Sequence, residues 1–181
     1  MDRQRCLTLV ALILPLFVNG CQAQPRARPA SPPVSLASWT TPTCGGGPVA
    51  PKGNMTDTES LLASLINGMR GQSGLNPGAP DPIAVGVAQF HARNMSNSPY
   101  VGLVATDGED PFRRLVCSGG PGNRVTAVIA VGRGSDPNEV FDVLMEDFAA
   151  RSILVSDNGG AGYSVLAVGY SDGYWMIIMQ Q

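Results

Sequence analysis

The chain has 181 residues and a formal net charge of −2, from 12 basic and 14 acidic residues. This length accommodates one domain of ordinary size with short extensions. The weak net charge and the lack of a basic cluster argue against a nucleic-acid-binding protein.

The N-terminus has the pattern of a secretory signal. A short basic region, Met1 to Arg5, precedes an apolar run from Leu7 to Val18, which is shorter than the roughly 20 residues of a membrane-spanning helix. We interpret residues 1–20 as a lipoprotein-type signal peptide, because Val18-Asn19-Gly20-Cys21 resembles a bacterial lipobox. Cys21 is then the lipid anchor of an exported envelope or extracellular protein. Cleavage at a nearby site without acylation and retention as a membrane anchor are the alternatives.

Residues 21–55 are predicted to be a linker, because prolines and the run Gly45-Gly46-Gly47 dominate them and apolar residues show no period. Besides Cys6 in the signal and Cys21 at its end, the chain has two cysteines, Cys44 and Cys117. Two cysteines in an oxidising compartment tend to pair. We therefore expect a Cys44–Cys117 disulfide, with two buried free thiols as the alternative.

The folded domain is predicted to span residues 56–181, and its first half is helical. Thr56 and Glu59 fit a capping box at the start of a helix that ends near Gly71 and Gly74. Asp81-Pro82 starts a second helix that ends before Ser98-Pro99. Residues 99–124 are predicted to be irregular, apart from a short helical turn at 111–116.

The second half of the domain carries the predicted strands. An apolar run at 125–131 indicates a buried strand. A third main helix begins at Asp136-Pro137 and ends around Arg151. Residues 162–170 and 174–179 form a hairpin through Ser171-Asp172-Gly173. Because the strands gather near the end of the chain, the pattern favours an α+β fold with helices on an antiparallel sheet.

Four local patterns resemble the bacterial CAP domain, of the superfamily of cysteine-rich secretory proteins, insect venom antigen 5 and plant pathogenesis-related proteins of type 1. Residues 61–70 are similar to its opening helix, L-x-x-x-I-N-x-x-R, and residues 88–95 to its A-x-x-H-A-x-x-M helix. Residues 107–115 resemble D-G-x-x-P-F-x-R-L, and residues 139–145 resemble E-V-V-x-x-W-M. The resemblance covers residues 58–180 and implies a three-layer α/β/α sandwich around an antiparallel sheet.

The resemblance also implies where a functional pocket would lie. CAP domains usually build a pocket from two His and one or two acidic residues, which can hold a divalent metal. In this chain those positions fall on Leu103, Ala127 and Ala150, or Ala149 with another placement of a one-residue deletion. We therefore expect no metal, no cofactor and no catalytic residue, and an apolar cleft lined by Leu103, Ala127 and Ala150.

The single histidine of the chain, His91, lies in the second helix, where CAP domains often have a structural histidine. We predict a non-enzymatic, lipid-anchored CAP-like binding module for a hydrophobic small molecule or an envelope protein. Two alternatives remain: a hydrolase with a remodelled site that uses His91, and a purely structural envelope module. The hydrolase needs a nucleophile beside His91, and the chain has no G-x-S-x-G pattern to supply one.

Two further groups of residues have a structural and a functional interpretation. The acidic residues Asp107, Glu109 and Asp110 could ligate a hard cation, but a solvated turn is the favoured interpretation. The chain also has a group of aromatic residues near its end that could form a ligand patch, although strand residues of this kind usually pack in a sheet core; they are Tyr163, Tyr170, Tyr174 and Trp175.

Overall fold

The computed structural model of the chain describes residues 34–37, 44, 49–121, 124, 126–132, 134–155 and 162–181. In chain order its elements are β1 (Val34–Ala37), α1 (Asp57–Gln72), α2 (Pro82–Asn97), α3 (Pro111–Cys117), β2 (Thr126–Gly132), α4 (Pro137–Glu146), α5 (Phe148–Leu154), β3 (Val165–Ser171) and β4 (Tyr174–Gln180). The predicted signal peptide and Cys21 lie outside the described residues. Among the helices that are described, none has the length and apolar character needed to cross a membrane.

Four strands form one antiparallel sheet in the order β1-β2-β4-β3. Successive residues of a strand point to opposite faces, so Ala127 and Ile129 of β2 face one apolar core and Val128 and Ala130 face the other. The first core contains residues of α1, α4 and α5, and the second contains residues of α2 and α3. The predicted three-layer α/β/α sandwich with an antiparallel sheet is confirmed.

The helices begin where the sequence predicts, because short polar side chains cap them locally. Thr56 and Glu59 form a capping box at α1, and the Asp81 carboxylate accepts hydrogen bonds from two backbone N–H groups at α2. Asp110 and Asp136 cap α3 and α4 in the same way. Each cap satisfies backbone donors that a helix leaves unpaired at its N-terminus.

The third main helix differs from its prediction, because it is divided at Asp147. This residue has an extended conformation (φ −77°, ψ 119°), and its N–H bonds to the carbonyl of Val143 to close α4. Its carboxylate then accepts a hydrogen bond from the backbone N–H of Ala150 at 2.8 Å and starts α5. One aspartate thus ends one helix and caps the next.

Parts of the predicted linker at 21–55 are paired with or packed against the domain. Residues 34–37 are an edge strand that pairs with β2 from Val34 opposite Ile129 to Ala37 opposite Thr126. The side chain of Ala50 is buried in the second core. Composition did not reveal this, because a four-residue strand at a sheet edge gains its stability from its partner strand and needs no periodic pattern of its own.

The structure pairs Cys44 with Cys117 in a disulfide, with their Cα atoms 5.5 Å apart. Next to it, the backbone N–H of Ala50 donates a hydrogen bond to Oγ of Ser118 at 3.2 Å. Both contacts attach the segment before α1 to the C-terminal end of α3. Cys44 and Ala50 are therefore attached to the domain, and the expected Cys44–Cys117 disulfide is confirmed.

Glu59 links three elements from a buried position with 1% exposure. Its Oε1 accepts a hydrogen bond from the N–H of Tyr170 in β3 at 2.7 Å. Its Oε2 accepts hydrogen bonds from the N–H of Thr56 at 2.7 Å and from Nε2 of Gln89 in α2 at 2.8 Å. The carboxylate of the capping box is therefore also a tertiary contact that joins α1, α2 and β3.

The aromatic residues of the C-terminal hairpin pack mainly as sheet residues. Tyr163 and Trp175 are buried in the first core, and the ring of Tyr170 lies 4.4 Å from that of Trp175 between centroids. Tyr174 packs against the second core, on the opposite face of the sheet. The four rings do not form one ligand patch.

Candidate functional site

The structure does not bring together the three residues expected to line an apolar cleft. Leu103 packs against the second core, while Ala127 and Ala150 are in the first core with 1% and 0% exposure. The sheet separates the two groups, because Ala127 points away from the face that α2 and the segment after it cover. Of the three, only Leu103 is partly accessible.

Leu103 belongs to a loop of uncharged residues, Tyr100-Val101-Gly102-Leu103-Val104-Ala105, which follows α2 and which we call the apolar loop. Val101 is 43% exposed and Val104 is 56% exposed, whereas Ala105 is 4% exposed. Of the large apolar side chains that are exposed among the described residues, only Val101 and Val104 lie in the same short loop, and a group of exposed apolar side chains can mark an interaction site. The apolar loop is therefore the candidate binding surface.

A set of polar contacts from α2 fixes the backbone of the apolar loop. The amide oxygen Oδ1 of Asn94 accepts hydrogen bonds from the Tyr100 hydroxyl at 3.1 Å and from both N–H and Oγ1 of Thr106 at 3.0 Å. One side chain thus bonds to residues on both sides of the two exposed valines. The N–H of Ala105 also donates to the carbonyl of Glu109 at 2.8 Å, so the end of the loop is bonded to the turn that follows it.

His91 is the second support of the apolar loop. Its side chain is fully buried, and Nε2 donates a hydrogen bond to the carbonyl of Gly102 at 2.8 Å. Its Nδ1 atom has no hydrogen-bond partner among the described residues. Burial lowers the pKa of His91, the hydrogen bond to Gly102 opposes this shift, and the positive charge of Arg114 adds to the lowering. His91 is thus a neutral imidazole that positions the loop.

Arg114 organises the acidic turn that follows the apolar loop. Its side chain is 1% exposed, its Nη2 lies 2.6 Å from Oδ2 of Asp107 and 3.4 Å from Oε2 of Glu109, and its guanidinium carbon lies 4.3 Å from the centre of the Phe90 ring. Burial raises the pKa of Asp107, but hydrogen bonds from Arg114 and from the Glu109 backbone outweigh this, and the pKa of Asp107 is lowered. The Asp107 carboxyl is therefore ionised and paired with Arg114.

These contacts account for the acidic cluster that could have held a cation. Asp107 and Glu109 face Arg114, and Asp110 accepts the N–H of Arg113 at 2.8 Å as the cap of α3. Within the described part of the chain, no three His, Cys, Asp or Glu side chains group as metal ligands. The cluster has the geometry of a structured turn around a buried arginine.

Sequence reasoning placed Leu103 in this region and His91 in the second helix as a structural residue, but it did not connect the two and it missed Asn94 and Arg114. Both lie inside the quoted CAP-like patterns at 88–95 and 107–115, yet an Asn or an Arg within a helix is usually a solvated residue. A signal for Arg114 was the presence of three carboxylates in the preceding seven residues. Nothing in the sequence indicates that one Asn94 oxygen receives three hydrogen bonds.

No family model matches the sequence, and no curated protein does either. Among solved structures, the chain is similar to an extracellular protein containing an SCP domain from Bacillus anthracis, with 17% identity, a TM-score of 0.62, and coverage of 71% of this chain and 45% of that chain. It is also similar to an outer surface protein from Borrelia burgdorferi, with 15% identity, a TM-score of 0.59, and coverage of 74% of this chain and 98% of that chain.

A third similar structure is a cysteine-rich secretory protein from Staphylococcus aureus, with 18% identity, a TM-score of 0.56, and coverage of 68% of this chain and 38% of that chain. The chain thus spans less than half the length of two of these three proteins. At these identities the likeness concerns the fold, which is the CAP-like (SCP) fold that the sequence patterns indicated.

Proposed function

We propose that this chain is an exported, lipid-anchored protein with a CAP-like domain that acts as a non-catalytic binding module, and that the apolar loop is its binding surface. Its ligand is a hydrophobic molecule or surface, or a protein partner in the cell envelope. The observation that carries the proposal is the exposure of Val101 and Val104 on a loop whose backbone Asn94 and His91 hold in place.

The apolar loop is preorganised for binding. Exposed valines on a mobile segment would lose conformational freedom when a ligand covers them, which reduces the affinity gained from their burial. Here the hydrogen bonds from Asn94 to Tyr100 and Thr106 already restrict the loop. The loop therefore loses less conformational entropy when a ligand covers its apolar side chains.

The non-catalytic role is supported by the state of His91. The buried ring uses Nε2 for the carbonyl of Gly102, and its lowered pKa favours the neutral form. A general base must lie within hydrogen-bond reach of the proton that it removes. No described Ser, Thr or Cys side chain bonds to Nδ1, so a nucleophile for the hydrolase alternative lacks support.

Export and lipid anchoring are supported by the basic start, the apolar run and the lipobox-like sequence that ends at Cys21. The disulfide between Cys44 and Cys117 is consistent with an oxidising compartment. Two of the structurally similar proteins are described as an extracellular protein and an outer surface protein. We propose a comparable location for this chain.

The proposal is tested by site-specific photo-crosslinking in cells that export the full chain. An apolar photoreactive residue replaces either Val104 in the apolar loop or Phe148, which is 76% exposed at the start of α5 on the other face of the sheet. We expect an adduct at position 104 and little at position 148, and its mass distinguishes a lipid from a protein. Equal crosslinking at both positions would contradict the assignment of the loop as the binding surface.

A separate measurement addresses catalysis. If the purified chain hydrolyses simple ester substrates and H91Q abolishes this activity while the variant stays folded, the hydrolase alternative is correct. We expect no activity that depends on His91, because the ring is enclosed and already bonded to the loop.

A further inference from the structure

We infer that the ligand of the apolar loop is the lipid bilayer to which the chain is tethered, so that the domain docks on the membrane through Val101 and Val104. This inference rests on the proposed function, because it requires both the lipid anchor at Cys21 and the apolar loop as the binding surface. It adds the identity of the surface and the orientation of the domain.

The direction of β1 places its N-terminus, to which the proposed tether connects, toward the apolar loop. In the antiparallel pair, Val34 lies opposite Ile129 and Ala37 lies opposite Thr126. The N-terminus of β1 therefore points toward the end of β2 at Gly132. The side chain of Val101 lies at that same end, because a Cβ atom on Gly132 would collide with it. The strand to which the proposed tether connects thus points, at its N-terminus, toward the end of the sheet where Val101 of the apolar loop lies.

The length of the tether keeps this end close to the bilayer. Cys21 and Val34 are separated by the twelve residues 22–33, which can span at most about 40 Å when fully extended. A tether that ran to residue 55 would have nearly three times that reach, but the pairing of β1 with β2 ends the tether at Val34. A short tether gives an effective concentration in the millimolar range, so a weak apolar contact is sufficient for docking.

The charges around the loop select the type of lipid surface. Residues 100–105 carry no charge, and Asp107 at the base of the loop is paired with Arg114. Docking on the hydrocarbon boundary therefore requires no unpaired charge of the loop to be buried. Exposed charges of both signs lie near the loop, Asp172 in the β3–β4 turn and Arg93 next to Asn94 on α2. Since neither sign dominates, the surface fits a bilayer with zwitterionic headgroups.

The experiment uses the full lipidated chain in phosphatidylcholine vesicles, with and without brominated acyl chains that quench tryptophan. The V104W variant places a tryptophan on the apolar loop, and the F148W variant is the matched control. Wild type supplies the background from Trp39 and Trp175. We expect V104W to lose most of its added emission in brominated vesicles and to emit at shorter wavelength, and F148W to change little.

The possible outcomes distinguish docking on the bilayer from the lipid anchoring on which it depends. Failure of the wild-type chain to float with vesicles would overturn the anchor and the docking together. A floating chain whose V104W emission is not quenched would overturn the docking alone, and a protein adduct at position 104 in cells would then identify the partner. Amide hydrogen exchange of residues 100–105 tests the docking in the wild-type chain, without any substitution. We expect slower exchange on vesicles than in detergent. Equal exchange in the two would also overturn the docking.

Discussion

Replacing Asn94 tests how the apolar loop is held. In the N94A variant, the Tyr100 hydroxyl and the N–H and Oγ1 of Thr106 lose their common acceptor. A net contribution of about 1 kcal/mol for each hydrogen bond gives roughly 3 kcal/mol. Because Thr106 is exposed and its groups can bond to water instead, we expect a loss of about 2 kcal/mol in the free energy of unfolding.

The assay combines chemical denaturation with amide hydrogen exchange of Thr106. If Thr106 exchanges through opening of the loop, a loss of about 2 kcal/mol corresponds to roughly 30-fold faster exchange. N94D is the matched control, since its carboxylate keeps an acceptor at the position of Oδ1. A Thr106 amide that stays equally protected in N94A, or an N94D variant as unstable as N94A, would refute the reasoning that this acceptor holds the loop.

Two other predictions concern buried polar groups. E59A should lower the free energy of unfolding by about 3 kcal/mol, because it removes the acceptor of the partly buried Tyr170 amide in β3 as well as half of the α1 capping box. T56A removes only the cap contact and should lower the free energy of unfolding by about 1 kcal/mol. If chemical denaturation showed equal losses for E59A and T56A, the tertiary role of Glu59 would be contradicted. The pKa of His91 in the folded chain is lowered from 6.5, so the unfolded chain binds this proton at a higher pH than the folded chain does. The contribution of His91 to stability should therefore fall as the pH decreases from about 6.5 and level off below the folded pKa. The difference between wild type and H91Q in denaturation should show this decline, and a difference independent of pH would disprove it.

The features that could be predicted from the sequence are those that depend on interactions between residues close together in the chain. The caps at Thr56, Asp81, Asp110 and Asp136 were predictable because each side chain bonds to backbone groups two or three residues away. The division at Asp147 was not, since Asp147 lies in a continuous helical pattern. It ends α4 as well as capping α5, and pattern alone does not show that a helix changes direction there.

The candidate site was predictable only in part. Leu103 was identified through the CAP-like pattern, and it does lie at an accessible surface, but its expected neighbours Ala127 and Ala150 lie across the sheet. Its actual neighbours, Val101 and Val104, are ordinary loop valines in the sequence. Their exposure results from the way in which α2 and the acidic turn hold the segment between them.

The sequence by itself determined the α+β class, the starts of the helices, the hairpin and the CAP-like resemblance, because these depend on local capping, on periodicity and on the order of the elements. Only the tertiary structure decided that β1 joins the sheet, that Arg114 pairs with the acidic turn, and that the N-terminus of β1 points toward the end of the sheet where Val101 lies. The physical reason is that strand pairing and side-chain burial depend on residues far apart in the chain. Val34 and Ile129 become neighbours only when the sheet forms.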